Sequence, residues 1–353
     1  MPEISRLGIK MPESPIRKLA PLANEAKARG IKVYHLNIGQ PDIPTPEVGL
    51  EALRRIDQKV LSYCPSDGLP SLRQKMAEYY GRFAIDVTPD EIFITTGASE
   101  ALTLVFLACL DPGDEILIPE PAYANYMAFA ISAGAKIRTI ATTIDEGFSL
   151  PKVEKFEELI NEHTRAILIC NPNNPTGTCV SSAELYPSDD ENELFVIDQS
   201  YEDYTTATML RDEDIVKHGR MILLHSMTKK YCVPGLRLGY LTAHRDIIAK
   251  LREFRTPWSV NSLAIEAGKY LVTHDINVLP SIDWMRKETE WFRESINQME
   301  GLEAFPTQTN FFLVRLKHLN SSLLKENLAT KEGILIRDAS SFEGLDDHYI
   351  RIA

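Results

Sequence analysis

Seven short apolar runs occupy the middle of this chain, at Ile92–Thr95, Glu115–Ile118, Lys136–Ile140, Ala166–Cys170, Leu194–Ile197, Met221–Leu224 and Leu238–Thr242. Each is strand-length, and several are apolar at consecutive positions, which suits a strand covered on both faces. Amphipathic stretches at Leu69–Phe83, Ala98–Leu110 and Val153–Asn161 lie between some of them. Strand–helix alternation of this kind predicts an α/β fold with a mainly parallel sheet between helices. Pro/Gly punctuation at Asp111–Asp114, Pro119–Pro121 and Asn171–Gly177 falls where such sheets place ligand loops.

The last third changes character. A long helix near Ile282–Met299, a strand at Asn310–Leu316, a helix near Ser321–Ala329 and strands at Gly333–Arg337 and His348–Ile352 predict a smaller α+β unit. The opening, punctuated by Pro2, Pro12, Pro15 and Pro21, reads as an arm plus a helix that packs with that unit. We therefore expect an arm and part of a small domain over 1–45, a large domain over 46–272 and a small C-terminal domain over 273–353.

Lys and Arg total 38 against 50 Asp and Glu, a formal charge of −12, so no basic stripe is available for nucleic acid. Five scattered cysteines without a Cys-x-x-Cys pair predict reduced thiols, and the eight histidines show no metal-ligand spacing. The N-terminus carries no apolar leader and no stretch long enough to span a bilayer occurs, so we expect a cytoplasmic protein away from membranes.

Four separated motifs carry the chemistry. Thr95-Thr96-Gly97-Ala98-Ser99-Glu100 ends a strand and starts a helix, whose free N–H groups suit a phosphate; Ser99 as an ordinary helix cap is the alternative. Asn171-Pro172-Asn173-Asn174-Pro175-Thr176-Gly177 holds an amide between two prolines above a strand end. Asp198, closing the run Phe195-Val196-Ile197, is a carboxylate that needs a cation there, and Tyr201 follows three residues on. Ser226-Met227-Thr228-Lys229, with Arg237 eight residues later, offers an amine, hydroxyls and a guanidinium, the set a phosphorylated aldehyde cofactor requires.

In this order the motifs resemble the fold-type-I pyridoxal-phosphate enzymes of the class I/II aminotransferase family. The resemblance runs from Leu36-Asn37-Ile38-Gly39-Gln40-Pro41-Asp42 to Ile350-Arg351-Ile352. It implies a seven-stranded large-domain sheet and pyridoxal 5'-phosphate as cofactor. Lys229 then matches the Schiff-base lysine and proton shuttle; Lys230 competes, but the Ser-x-Thr-Lys register selects Lys229. Asp198 matches the partner of the pyridine nitrogen, and Asn174 and Tyr201 match donors to the phenolic oxygen. Ser226, Arg237 and the backbone at Ala98 and Ser99 match the phosphate cradle, with Thr228 a weaker member. Tyr123 matches the aromatic stacked on the ring, with a core tyrosine as the alternative. Tyr63 matches the tyrosine sent to the neighbour's phosphate, which implies a homodimer with shared sites.

On the substrate side, Arg351 matches the clamp for an α-carboxylate, with Gly39 and Asn174 near the same group. The resemblance implies amino transfer between an L-amino acid and a 2-oxo acid. The first part of the chain is similar to aspartate-type enzymes. From about Phe195 it is closer to histidinol-phosphate aminotransferases and threonine-phosphate decarboxylases, in which an arginine matching Arg337 helps hold a phosphorylated substrate. A decarboxylase or lyase of a phosphorylated amino acid is accordingly the alternative activity, and a surface charge the alternative for Arg337. The link over 178–197 is shorter than in those relatives, and the chain stops two residues after Arg351, which leaves open whether both are complete.

Overall fold

Backbone hydrogen bonding turns the apolar runs into strands. The computed structural model describes residues 4–12, 19–41, 43–57, 59–65, 70–185, 193–275 and 279–353. Pro2 and Pro15 of the opening, Asp42, residues 66–69 and residues 186–192 lie outside them. In chain order the described residues form β1 (Tyr34–Leu36), β2 (Ile92–Thr95), β3 (Glu115–Glu120), β4 (Lys136–Ala141), β5 (Thr164–Cys170) and β6 (Leu194–Asp198). There follow β7 (Met221–His225), β8 (Gly239–Ala243), β9 (Leu302–Ala304), β10 (Phe312–Leu316), β11 (Ile334–Asp338) and β12 (Tyr349–Ile352).

Seven strands make one sheet in the order β2-β8-β7-β6-β5-β3-β4. β4, β3, β5, β6 and β7 run parallel, while β8 is antiparallel to both β7 and β2. The expected mainly parallel, seven-stranded sheet is what the chain forms. Both faces are covered, which is why the strands are apolar without alternation. On one face Val196, Ile222 and Leu224 meet Leu102, Val105 and Phe106 of the helix Ala98–Cys109. On the other, Phe195, Ile197 and Leu223 pack with Phe156 and Ile215, and Ile92 and Ile94 with Leu72 and Met76 of the helix Pro70–Arg82.

A second sheet, β1-β11-β12-β10-β9, gathers the two chain ends. β1 joins it parallel to β11 and the other pairs are antiparallel. The stretch at 34–36 thus pairs with a strand from the C-terminal third. β1 and β9, three residues each, were not foreseen. The helix expected over Val153–Asn161 stops at Glu157. Asn161 explains part of this: its Oδ1 accepts from the His163 N–H at 2.8 Å, and its own N–H donates to Thr164 Oγ1 at 3.0 Å. Such local bonds compete with helix continuation.

Where β8 crosses β2, Gly239 lies opposite Thr95. A Cβ there would stand 2.7 Å from Ala98 N and 2.8 Å from Gly97 C, both backbone atoms that cannot rotate away. Gly239→Ala should therefore lower stability by about 1–3 kcal/mol in chemical denaturation. Gly235→Ala, whose Cβ meets open space, should leave the denaturation midpoint nearly unchanged.

Candidate active site

The carboxyl ends of the parallel strands open into a cavity of about 210 Å³, roofed by residues of the second sheet. Parallel sheets place ligands there because each strand end releases its chain into a loop or a helix start. Asp198 is the last residue of β6, Ser226 follows the last residue of β7, and the Asn171–Gly177 loop leaves β5. Arg337 and Arg351 come from β11 and β12, where they are cross-strand partners.

Among the sequence-predicted residues, Gly39, Ala98, Ser99, Tyr123, Asn174, Asp198, Tyr201, Ser226, Thr228, Lys229, Arg237, Arg337 and Arg351 all line this cavity. Tyr63 does not. It is 80% exposed and stacks on Trp258, ring centroids 4.8 Å apart at 22°.

Lys229 and Lys230 part company within one helical turn, Met227–Lys230, that begins at Ser226. Lys229 Nζ points into the cavity and donates to Gly39 O at 2.7 Å. Burial pulls its pKa down to about 8, with Arg351 and Arg237 pushing the same way and Asp198 opposing. Lys230 Nζ is held on the other side by Asp203 at 3.1 Å, Asp275 at 3.0 Å and Tyr79 Oη at 2.7 Å. Burial would lower its pKa, but these neighbours push it well above the ordinary lysine value. A nucleophilic amine must be able to shed its proton, so the geometry agrees with the register choice of Lys229.

Backbone and guanidinium meet at the start of the helix Ala98–Cys109. Gly97, not Ser99, is the N-cap of the helix Ala98–Cys109, with φ +78°. A Cβ at Gly97 would come to 3.0 Å of Arg237 Nη2, so only glycine lets the guanidinium lie against this turn. Arg237 itself sits in the left-handed region, φ 55°, after the turn Pro234–Leu236. A non-glycine residue held there is strained, a feature concentrated at functional sites.

Asp198 is 5% exposed, and its carboxylate accepts from Tyr126 Oη at 2.8 Å and from the Ser200 N–H at 3.0 Å. Tyr126 was not foreseen; it lies one turn beyond Tyr123, whose ring it meets edge-on at 5.4 Å. Tyr201 is buried beneath Lys229, whose Nζ stands 5.4 Å from the ring centroid, and desolvation raises its phenol's pKa. Arg351 is 6% exposed; Nη1 donates to Asn174 Oδ1 at 2.6 Å and Nη2 to Asn37 O at 2.9 Å. Its Nε makes no hydrogen bond among the described residues. Arg337 Nη2 donates to Ser341 Oγ at 2.7 Å, and burial together with Arg351 lowers its pKa to about 10. It lies inside the site and is not a surface charge. Asn37, Cys170 and Phe342 complete the surroundings and were given no role from the sequence.

The lining thus holds four cations, Lys229, Arg237, Arg337 and Arg351, against one carboxylate, Asp198. On a chain of net charge −12 this is a strong local inversion. It suits a ligand with more than one anionic group.

Comparison with known proteins agrees with this geometry. The family model for aminotransferase class I and II matches residues 31–353. A histidinol-phosphate aminotransferase of Caldanaerobacter subterraneus subsp. tengcongensis is 25% identical over 316 residues, covering 89% of this chain and 86% of the relative. A putative threonine-phosphate decarboxylase of the same strain is 30% identical over 316 residues, covering 87% and 82%. The aspartate aminotransferase of Thermotoga maritima is 31% identical over 358 residues, covering 98% and 93%. A crystal structure of the Thermotoga maritima aspartate aminotransferase superposes with TM-score 0.90 over 99% of this chain and 94% of that one, at 24% identity. The chain belongs to the class I and II aminotransferases, a family of pyridoxal-phosphate enzymes.

Proposed function

We propose that the chain binds pyridoxal 5'-phosphate through Lys229 and moves an amino group between an L-amino acid and a 2-oxo acid. The carrying observation is that one cavity brings together the Lys229 amine, Asp198, Arg237 and a buried Arg351 whose Nε is unpartnered among the described residues. The residues fit the cofactor. Arg237, Ser226 and the N–H groups at Ala98 and Ser99 would hold its phosphate, with the Gly97 turn leaving room for the guanidinium. When bound, the cofactor supplies an electron sink for the charge released at a substrate Cα.

The protein's own residues do the rest. Asp198, kept in place by Tyr126 and Ser200, would hold a positive charge on the ring nitrogen. Arg351 fixes the Asn174 amide through Oδ1, which leaves its NH₂ free to donate, and that NH₂ together with the Tyr201 phenol would hold the cofactor's phenolic oxygen. Tyr123 flanks the ring, its Oη accepting from Asn125 at 2.6 Å. Lys229 Nζ would take a proton from Cα and return it one position away. Arg351 would clamp the α-carboxylate with Nε and a neighbouring Nη. We assign Tyr63 to the partner's phosphate in a homodimer, for which its exposed, Trp258-stacked ring is suited. Five free thiols fit a reducing cytoplasm.

Arg337 favours a substrate with a second anionic group, a carboxylate or a phosphate. It also keeps open a second reading, decarboxylation of a phosphorylated amino acid. A panel of amino donors, with 2-oxo-acid and CO₂ release measured together, separates the two. Stoichiometric 2-oxo acid is expected, and CO₂ release would sink the transaminase reading.

Borohydride trapping of added pyridoxal phosphate should label Lys229 and vanish in Lys229→Ala. Only the free amine attacks an aldehyde, so the rate of capture should rise as pH climbs through about 8. Arg351→Lys should raise KM for every amino donor about ten- to a hundredfold, the loss of a charged hydrogen-bond pair. Arg337→Gln should raise KM only for acidic or phosphorylated donors, leaving alanine unaffected; equal loss across the panel would remove Arg337 from the side-chain pocket.

A further inference from the structure

Strand alternation places a second cluster behind the cavity, on the opposite face of the same strand ends. Asp198 and Ser226 line the cavity, while the next residue after Asp198, Gln199, and the one before Ser226, His225, are fully buried. His225 Nδ1 lies 2.6 Å from Glu202 Oε1, and Nε2 lies 2.9 Å from Asp212 Oδ1. Its ring stacks on Tyr240 at 4.5 Å and 14°. The carboxylates have further donors: Gln199 Nε2 donates to the outer Glu202 oxygen, Oε2, at 2.9 Å, and Thr242 Oγ1 donates to the same Asp212 oxygen as the imidazole, Oδ1, at 2.5 Å. Tyr240 Oη pairs with Tyr80 Oη at 2.9 Å.

A ring nitrogen facing an ionised carboxylate carries a proton, and His225 has a carboxyl group at each nitrogen. The imidazole is therefore the cation of a buried three-member clamp. Burial works against that charge, but Glu202 and Asp212 outweigh it and hold the ring protonated well above the ordinary histidine range. Burial raises the Glu202 carboxyl against the pull of His225. For Asp212 the same penalty is overcome by His225 and by the hydroxyls of Thr242 and Tyr80, so its pKa falls. Asp203 also adds to the charge felt by Glu202. The histidine contribution is complete below about pH 6.5 and lost as pH rises through the elevated value. On the acid side, Glu202 takes its proton sooner than an ordinary glutamate.

The clamp touches the segments that leave β6 and β7 and that form β8, three of the strands beside the cavity. Glu202 follows Tyr201 after β6, His225 precedes Ser226 on β7, and Tyr240 and Thr242 belong to β8, which begins just after Arg237. We propose that Glu202, His225 and Asp212 are positioning residues, an ion clamp that holds the strand ends carrying Asp198, Ser226 and Arg237 in the register needed by the cofactor. This rests on the functional reading above. The mechanism itself uses none of the three.

The test is Glu202→Gln in the full-length protein, titrated with pyridoxal 5'-phosphate. The cofactor's dissociation constant should rise about tenfold, the loss of one charged hydrogen bond. The pH midpoint of the bound cofactor's visible absorbance should move as well. Nitrogen-15 NMR of histidine-labelled protein without cofactor should find both His225 nitrogens protonated at pH 7.5. A lowered unfolding temperature with cofactor affinity within about twofold of wild type and an unmoved absorbance midpoint overturns the proposal, as does a singly protonated ring. Thr242→Val removes one donor to Asp212 at nearly constant volume, and it decides the question where Glu202→Gln yields no folded protein. It should weaken cofactor binding about threefold, and unchanged binding again overturns the clamp. If the wild type takes up no pyridoxal phosphate, the functional reading falls together with the clamp's role. Uptake with a wild-type-like variant overturns the clamp alone.

Discussion

A guanidinium buried to 6% exposure must find acceptors, and Arg351 finds them in two distant parts of the chain. Asn174 is 177 residues away in sequence and Asn37 is 314 away. The face of the guanidinium lies over the Phe311 ring at 4.9 Å. These contacts join the loop after β5, the stretch after β1 and strand β12 at one point. The cavity has its roof because that point exists. Losing a partner of such a buried charge costs several kcal/mol, so the arrangement is strongly specified.

The rest of the site follows from strand periodicity. Successive side chains point to opposite faces, so each strand end sends one residue into the cavity and the next one behind it. Asp198 and Ser226 take the first position, Gln199 and His225 the second. A one-residue slip would exchange the two sets and place the clamp where the cofactor residues stand. Lys229 and Lys230 sit instead on the helical turn Met227–Lys230, where successive side chains point about 100° apart, so one faces Gly39 and the other Asp203 and Asp275.

Charge is distributed to match. The chain carries an excess of acid, yet the cavity gathers four cations. Two of them, Arg337 and Arg351, sit side by side on neighbouring strands; burial lowers the proton affinity of both, and Arg351 lowers that of Arg337 further. Such a pair is costly without an anion between or beside it. It is suited to a substrate with two negative groups.

Residue types and their order along the chain were enough to read the mainly parallel sheet and most of the residues that meet at the cavity. Long apolar runs and rare motifs are local properties, carried by neighbours in sequence. β1 and β9 escaped notice because three residues hold no period, and Val153–Asn161 was drawn too long because Asn161 turns the chain through its own side chain. Tyr126, Asn37 and the Glu202–His225–Asp212 clamp were invisible for a different reason. Each owes its role to a partner tens or hundreds of residues away, and no local pattern encodes that. The sequence alone determined which chemical groups are available and in what order. Only the tertiary structure decided which faces they share, which lysine is free of carboxylates, and which buried charges meet, because those are set by sheet register and by the need of every buried ion for a counterpart.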